Sequence, residues 1–171
     1  LSSAQSVIIL VPEISLTAQL VGEFQQRFPE QVVVTHSAMT ASQRNLAWRN
    51  ILFSTKPLII IGPRSALFMP VARLGLVIID ECHEPSYHQD QSPRYSTVTV
   101  ASKLAQLAKY RLILGSATPS VSDYYLAEHL HRPIVIMDQL AKSDAIRPTT
   151  KIVDLTKLDN FRSESDLFTI P

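Results

Sequence analysis

The stretch Leu74-Gly-Leu-Val-Ile-Ile-Asp-Glu-Cys-His83 decides the fold of this chain. Four consecutive apolar residues, 76–79, lead without a polar break into two adjacent carboxylates, Asp80 and Glu81. A continuous apolar run of this length predicts a strand buried on both faces of a parallel sheet, with polar groups only at its carboxyl end. Ligands of open α/β sheets bind at that end. We therefore expect a functional site beside Asp80.

The composition limits the class of protein. The chain has 171 residues, 46% of them hydrophobic and 18% charged, and a formal net charge of +1. These values predict one domain with a substantial core, and they give no global electrostatic signal for nucleic acid. The single cysteine, Cys82, excludes an internal disulfide and a multi-cysteine metal site, and it suits a reducing, cytoplasmic location. No apolar run is long enough to cross a membrane, and residues 1–6 carry no positively charged signal segment.

Short apolar runs alternate with helical patterns along the chain. Further strands are predicted at residues 7–11, 32–34, 58–61 and 112–114, with weaker candidates at 134–137 and 152–153. Helices are predicted at residues 15–28, from Thr40 to before Pro57, at 98–108 and at 120–131. This alternation predicts an α/β fold with a mostly parallel central sheet and helices on both faces.

Local signals sharpen the boundaries of these elements. Thr40 with Gln43, and Ser120 with Asp123, have the spacing of helix N-caps. Residues 84–95 contain two prolines and almost nothing aliphatic, so they predict a surface loop. The chain after residue 157 is polar and poorly constrained.

Polar segments follow four of the predicted strands. They are Pro12-Glu13, residues 62–65, residues 80–83 and residues 116–118. Because carboxyl ends of parallel strands share one edge, we expect these groups to converge. There Asp80 could hold Mg²⁺ directly or through water, and Glu81 could orient or deprotonate an attacking water. An Asp-Glu pair can also simply end a strand, since short motifs match by chance.

Asp80-Glu81-Cys82-His83 resembles the DExH (DEAH-box) form of the Walker B motif of superfamily 2 helicases, and Gly115-Ser116-Ala117-Thr118 is similar to their motif III. Residues 10–19 and 61–68 are similar to motifs Ia and Ib of the bacterial replication-restart branch, and residues 86–95 resemble its aromatic-rich loop. The resemblance implies a RecA-like P-loop NTPase lobe at residues 1–143 and a linker toward a second lobe at 144–171.

The same resemblance implies a function. The implied function is that of the motor lobe of a nucleotide-binding, ATP-dependent 3′ to 5′ DNA helicase that acts in replication restart and primosome assembly. ATP and Mg²⁺ are the implied cofactors, with Asp80 binding the metal through water, Glu81 activating water, and His83, Ser116 and Thr118 coupling the nucleotide to the rest of the motor. The implied partners are single-stranded and forked DNA, primosomal proteins and single-stranded DNA-binding protein.

Two groups of residues are predicted to bind DNA. Arg64 and Ser65 can offer a charge-assisted fork and a hydroxyl to phosphate oxygens. Tyr87, Arg94 and Tyr95 form the aromatic and basic mixture that stacks on unpaired bases and binds backbone. Each group has a structural alternative: a local salt bridge for Arg64, and packing of the loop onto the domain for the tyrosines.

The chain departs from the family pattern in two ways. Cys82 stands where the motif usually has a second Glu. No Gly-x-x-x-x-Gly-Lys-Ser/Thr motif, which holds the phosphates, occurs, since none of the four glycines precedes lysine. The chain begins with Leu, so we expect a fragment that lacks the phosphate loop and the second lobe with its arginine finger and zinc-binding cysteines. Such a fragment should be inactive alone.

Two alternatives remain open from the sequence. One is another superfamily 2 enzyme, such as an RNA helicase or a restriction translocase. The other is a receiver-type signalling domain, which also collects acidic residues and a Ser or Thr at strand ends. The receiver type requires a lysine at the end of a later strand, and no predicted strand here ends in lysine.

Overall fold

The computed structural model describes residues 5–138 and the backbone of two short strands at 162–165 and 168–170. The chain forms two compact units, Leu1–Arg132 and Pro133–Pro171. The strands of the first unit are β1 (Ser6–Leu10), β2 (Val32–Val34), β3 (Ile59–Gly62), β4 (Leu74–Ile79), β5 (His88–Gln89), β6 (Tyr95–Ser96) and β7 (Arg111–Leu114). Its helices are α1 (Ala18–Arg27), α2 (Ala41–Leu52), α3 (Thr97–Ala108) and α4 (Val121–His129). The second unit contains an antiparallel pair, β8 (Arg162–Ser165) and β9 (Phe168–Ile170).

Five strands form the main sheet in the order β2-β3-β1-β4-β7, and every neighbouring pair is parallel. The predicted parallel sheet is therefore confirmed. Because all five strands run in one direction, the polar segments that follow β1, β3, β4 and β7 lie at the same edge of the sheet.

The core lies on both faces of this sheet. On one face, Ile8 and Leu10 of β1 belong to a buried cluster with Ile51 of α2 and Ala101 of α3. On the other face, Ile9 packs in a second cluster that includes apolar side chains of α1. Burial of alternate residues on opposite faces explains why these strands read as unbroken apolar runs. Helices therefore cover both faces, as the sequence predicts.

The predicted helix caps are confirmed. Thr40 Oγ1 accepts from the backbone N–H of Gln43 (3.2 Å), and the Gln43 side chain accepts from Thr40 N–H (2.8 Å), which is a full capping box. Ser120 Oγ accepts from Asp123 N–H (3.1 Å) at the start of α4. Helix α1 begins later than the sequence predicts, because a 3-10 turn at Glu13–Ser15 precedes it and Thr17 is its N-cap.

Other predictions fail or fall outside the described residues. The predicted strand at 134–137 is wrong: these residues have no regular structure, and Val135 and Met137 are 83% and 91% exposed. In the polar part after residue 157, β8 and β9 form an antiparallel pair that the sequence does not predict. The strand candidate at 152–153 lies outside the described residues. The domain boundary at 143 also lies there and stays a prediction. No helix among the described residues is both long and apolar enough to cross a membrane.

Candidate functional site at the carboxyl edge of the sheet

The adjacent carboxylates Asp80 and Glu81, which we call the acidic couplet, lie where strand β4 ends. Asp80 is exposed, and its backbone N–H donates to Leu10 O of β1 (2.9 Å). Glu81 N–H donates to Asp80 Oδ1 (3.0 Å), and Glu81 itself adopts φ = 47°. This left-handed conformation is uncommon for a non-glycine residue and costs of the order of 1–3 kcal/mol. Such backbone strain concentrates at functional sites, which supports a role for this pair beyond ending a strand.

A hydrogen bond connects the acidic couplet to the end of β7. His83 Nδ1 lies 2.7 Å from Ser116 Oγ and 3.5 Å from Glu81 Oε2. Ser116 Oγ also accepts from the backbone N–H of Thr118 (3.0 Å). Four of the predicted catalytic and coupling residues thus form a connected group, although they come from two strands that are more than 30 residues apart in sequence.

Backbone contacts bring the ends of β4 and β7 together. Gly115 N–H donates to Ile79 O (2.8 Å), and Cys82 N–H donates to Gly115 O (2.9 Å). A Cβ atom at Gly115 would lie only 3.3 Å from Asp80 Oδ1, so glycine allows the close approach. Cys82 is buried here. Its burial, and to a lesser extent the negative charge of the nearby Asp123 carboxylate, raises the pKa of its thiol. Its side chain therefore has a structural place in the core.

The next segment, residues 84–96, is held firmly against the domain, and we call it the anchored loop. It contains a 3-10 turn (Pro85–Tyr87) and the short antiparallel pair of β5 and β6. The Tyr87 hydroxyl donates to Asp80 O, and Thr97 Oγ1 donates to Tyr87 O, both at 2.8 Å. Burial raises the pKa of Tyr87, which keeps the phenol protonated as a donor.

The predicted base-stacking role of Tyr87 is wrong in this structure. Its side chain is 1% exposed, so neither face of the ring is free for a base. Tyr87 instead anchors the loop to the backbone of the acidic couplet, which is the structural alternative that the sequence left open.

Arg64 also contacts the anchored loop. Its Nη1 donates to Ser86 O (2.6 Å) and His88 O (2.9 Å), and its Nη2 donates to the Gln89 side chain. A second contact lies nearby, where the rings of Phe68 and Tyr95 meet edge to face at 5.6 Å. The 3-10 turn Arg64–Phe68 and the anchored loop are therefore joined at two points.

The other predicted DNA ligands are accessible. Ser65 and Arg94 are exposed, and Tyr95 is partly exposed. Arg94 Nε donates to Asp90 O (2.9 Å) within the loop. These three residues lie on the two segments that Arg64 joins.

Sequence reasoning missed Gln89, Thr97 and Phe68, which hold the loop in place. Thr97 is fully buried at the first turn of α3, yet threonine there has no pattern that distinguishes it from an exposed one. It also missed the bond from Ser37 Oγ to Glu13 Oε2 (2.9 Å), which connects the segments after β1 and β2. The available signal was that both residues follow a strand.

The residues at this edge can supply only part of the ligands that Mg²⁺ requires. Among the described residues, no group of three or more His, Cys, Asp or Glu side chains could enclose a metal ion. Mg²⁺ usually keeps several waters and uses one or two carboxylates together with substrate phosphates, and the exposed Asp80 suits that mode. Glu81 Oε2 is buried without a hydrogen-bond partner in the described part, which leaves an acceptor for water.

The sequence profile of DEAD/DEAH box helicases matches residues 1–126, and the chain belongs to this family. The parallel sheet with helices on both faces is accordingly that of a RecA-like helicase lobe. Enzymes of this class use a nucleotide and Mg²⁺. Family membership also excludes the receiver-type signalling domain.

Individual relatives narrow the resemblance. The chain is 44% identical to replication restart protein PriA of Synechocystis sp. over 133 residues, which are 77% of this chain and 16% of that protein. The identity is 43% over 128 residues with the PriA protein of Bacillus subtilis, covering 75% of this chain and 16% of the relative. For the PriA protein of Treponema pallidum it is 40% over 158 residues, covering 92% and 24%. The chain thus spans less than a quarter of the length of these relatives.

Proposed function

We propose that this chain is part of the first motor lobe of an ATP-dependent 3′ to 5′ DNA helicase that acts in replication restart and primosome assembly. The observation that carries the proposal is the 2.7 Å hydrogen bond between His83 and Ser116, which connects the acidic couplet to the segment after β7. The similarity to the replication restart proteins covers most of the chain and supports the biological setting.

In this proposal the acidic couplet carries out ATP hydrolysis. Asp80 would hold Mg²⁺ through water, and the ion would supply charge neutralisation at the phosphates. Glu81 orients the attacking water and takes its proton, and this role is supported by its Oε2 atom, which has no hydrogen-bond partner among the described residues. His83, Ser116 and Thr118 transmit the state of the nucleotide between β4 and β7.

Ser65, Arg94 and Tyr95 are the proposed contacts to single-stranded DNA. Their support is their exposure and their position on two segments that Arg64 joins, one of which follows the acidic couplet closely in sequence. Forked DNA, primosomal proteins and single-stranded DNA-binding protein are the proposed partners, in the cytoplasm. The whole enzyme would be a longer polypeptide that also supplies the phosphate loop, the second lobe and a zinc site, so that this chain alone does not hydrolyse ATP.

The proposal is tested with the full-length protein that carries this chain, using forked DNA and RNA duplexes of matched sequence. We expect ATP-dependent unwinding of the forked DNA only, and its loss in Glu81→Gln. Glu128→Gln, which neutralises an exposed carboxylate on α4, is the matched control and should unwind like the wild type.

Other outcomes would overturn the assignment. Preferential unwinding of the RNA duplex would identify an RNA helicase. ATP hydrolysis stimulated by duplex DNA without unwinding would identify a translocase.

A further inference from the structure

The Arg64 guanidinium makes an unusual set of contacts. Both acceptors of Nη1 are backbone carbonyl oxygens, those of Ser86 and His88, and the acceptor of Nη2 is the Gln89 side chain. These acceptors lie 22 to 25 residues further along the chain and all belong to the anchored loop. One side chain therefore binds residues 86, 88 and 89 of a segment that has little apolar content.

These bonds compete with phosphate binding. Arginine recognises phosphate best through two parallel N–H groups of its planar fork. Here the end-on fork formed by Nη1 and Nη2 already faces the loop, and the side chain is partly buried. A phosphate ligand at this fork would have to displace acceptors that are part of the fold.

The loop that Arg64 holds connects two functional regions. Through the Tyr87 hydroxyl it contacts the carbonyl of Asp80, and through Tyr95 it contacts Phe68. Arg64 binds the carbonyl groups on both sides of Tyr87, so its removal would loosen the loop next to its contact with Asp80.

We propose that Arg64 is a positioning residue, which fixes the anchored loop against the turn Arg64–Phe68, and that it is not a ligand of DNA phosphate. This replaces the DNA-binding role that the sequence predicts for Arg64. The contact itself stands on the geometry, whereas its consequence for DNA-stimulated hydrolysis rests on the proposed function.

The first test measures backbone hydrogen exchange in the anchored loop of the full-length protein without DNA or nucleotide. Arg64→Ala should speed exchange there by about tenfold or more, and Arg64→Lys should do the same because a point charge cannot reproduce the fork. Gln89→Leu should act in the same direction but less strongly, and the double variant should add little to Arg64→Ala, because the bond to Gln89 is one of the three that Arg64→Ala already removes. Gln89→Glu keeps an acceptor for Arg64, so exchange in the loop should stay as slow as in the wild type.

A matched arginine provides the control. Arg44 Nη1 also donates to a backbone carbonyl, that of Met39 (2.8 Å), but outside the loop. Arg44→Ala should leave exchange in the anchored loop unchanged. Exchange in β1 and β3 reports on global unfolding and should be unchanged in every variant.

The second test separates positioning from phosphate binding. The affinity for a single-stranded oligo(dT) is measured against salt concentration, where one lost phosphate contact lowers the slope by about 0.7. We expect the slope to be unchanged in Arg64→Ala, and Gln89→Leu to lower the maximal DNA-stimulated ATP turnover although it removes no charge.

The proposal is overturned if Arg64→Ala lowers the salt slope while loop exchange stays at the wild-type rate, or if Arg64→Lys retains wild-type behaviour. If the wild-type protein binds no DNA, the proposed function fails, but the exchange measurements still decide whether Arg64 positions the loop.

Discussion

The anchored loop and the apolar segment at residues 133–138 contrast sharply. The loop is polar in sequence, yet it places Tyr87 at 1% exposure and receives hydrogen bonds from Arg64 and Thr97. The apolar segment contains four consecutive apolar residues, 134–137, yet all four are exposed and none is in a strand. Local hydrophobicity alone predicts an exposed loop and a buried apolar segment, which is the opposite of what the structure shows.

The difference shows what orders a short segment. A strand needs a neighbouring ladder, because its backbone N–H and C=O groups must be paired when they are buried. A polar loop needs only a few hydrogen bonds to the rest of the domain. Here Arg64 and Thr97 donate to carbonyl groups of the loop, and Tyr87 of the loop donates to the carbonyl of Asp80.

The largest expected effect comes from removing the buried ring of the anchored loop. Tyr87→Ala should lower the free energy of unfolding by about 3–5 kcal/mol, because it creates a cavity and removes a hydrogen bond. Met137→Ala, in the apolar segment, should change it by no more than about 0.5 kcal/mol because that side chain is exposed. Urea unfolding of both variants measures the difference. Equal losses in the free energy of unfolding would contradict the contrast between the anchored loop and the apolar segment.

A smaller effect is expected from a single hydroxyl. Thr97→Val keeps the shape of the side chain but leaves Tyr87 O without its buried donor, so it should cost about 2 kcal/mol. The exposed Thr99 is on the same helix, and Thr99→Val should be close to neutral. Thermal unfolding distinguishes the two, and a neutral Thr97→Val would mean that this bond does not hold the loop.

The smallest effect concerns the buried Cys82 thiol, which lies just before the anchored loop in sequence. Only the thiolate of Cys82 reacts with iodoacetamide, and the raised pKa lowers the thiolate fraction at pH 8 relative to the unfolded chain. Burial restricts access as well. Alkylation should therefore be slower in the native chain than in denaturant, by a factor of about ten or more. A tenfold ratio corresponds to about 1.4 kcal/mol.

Equal rates of alkylation would mean that Cys82, beside the anchored loop, is as accessible as a side chain of the exposed apolar segment. Because the chain has one cysteine, the reaction reports on this position alone.

The sequence predicts the sheet well because its strands are buried on both faces and therefore read as apolar runs such as residues 58–61. It predicts Asp80, Glu81, His83 and Ser116 as neighbours because parallel strands deliver their ends to one edge. It does not predict the contacts of Arg64, because the acceptors are mainly backbone carbonyl groups that every residue possesses. The failed strand at 134–137 has the same origin: the sequence of a segment does not say whether a partner strand lies beside it.

The most direct test of the account is the rate of ATP hydrolysis by the full-length protein with single-stranded DNA, compared between wild type and Glu81→Gln. Removal of the general base should lower the rate by about 100-fold or more, while binding of a fluorescent ATP analogue changes little. A variant that hydrolyses ATP within a few-fold of the wild-type rate would contradict the assignment of the acidic couplet as the catalytic centre.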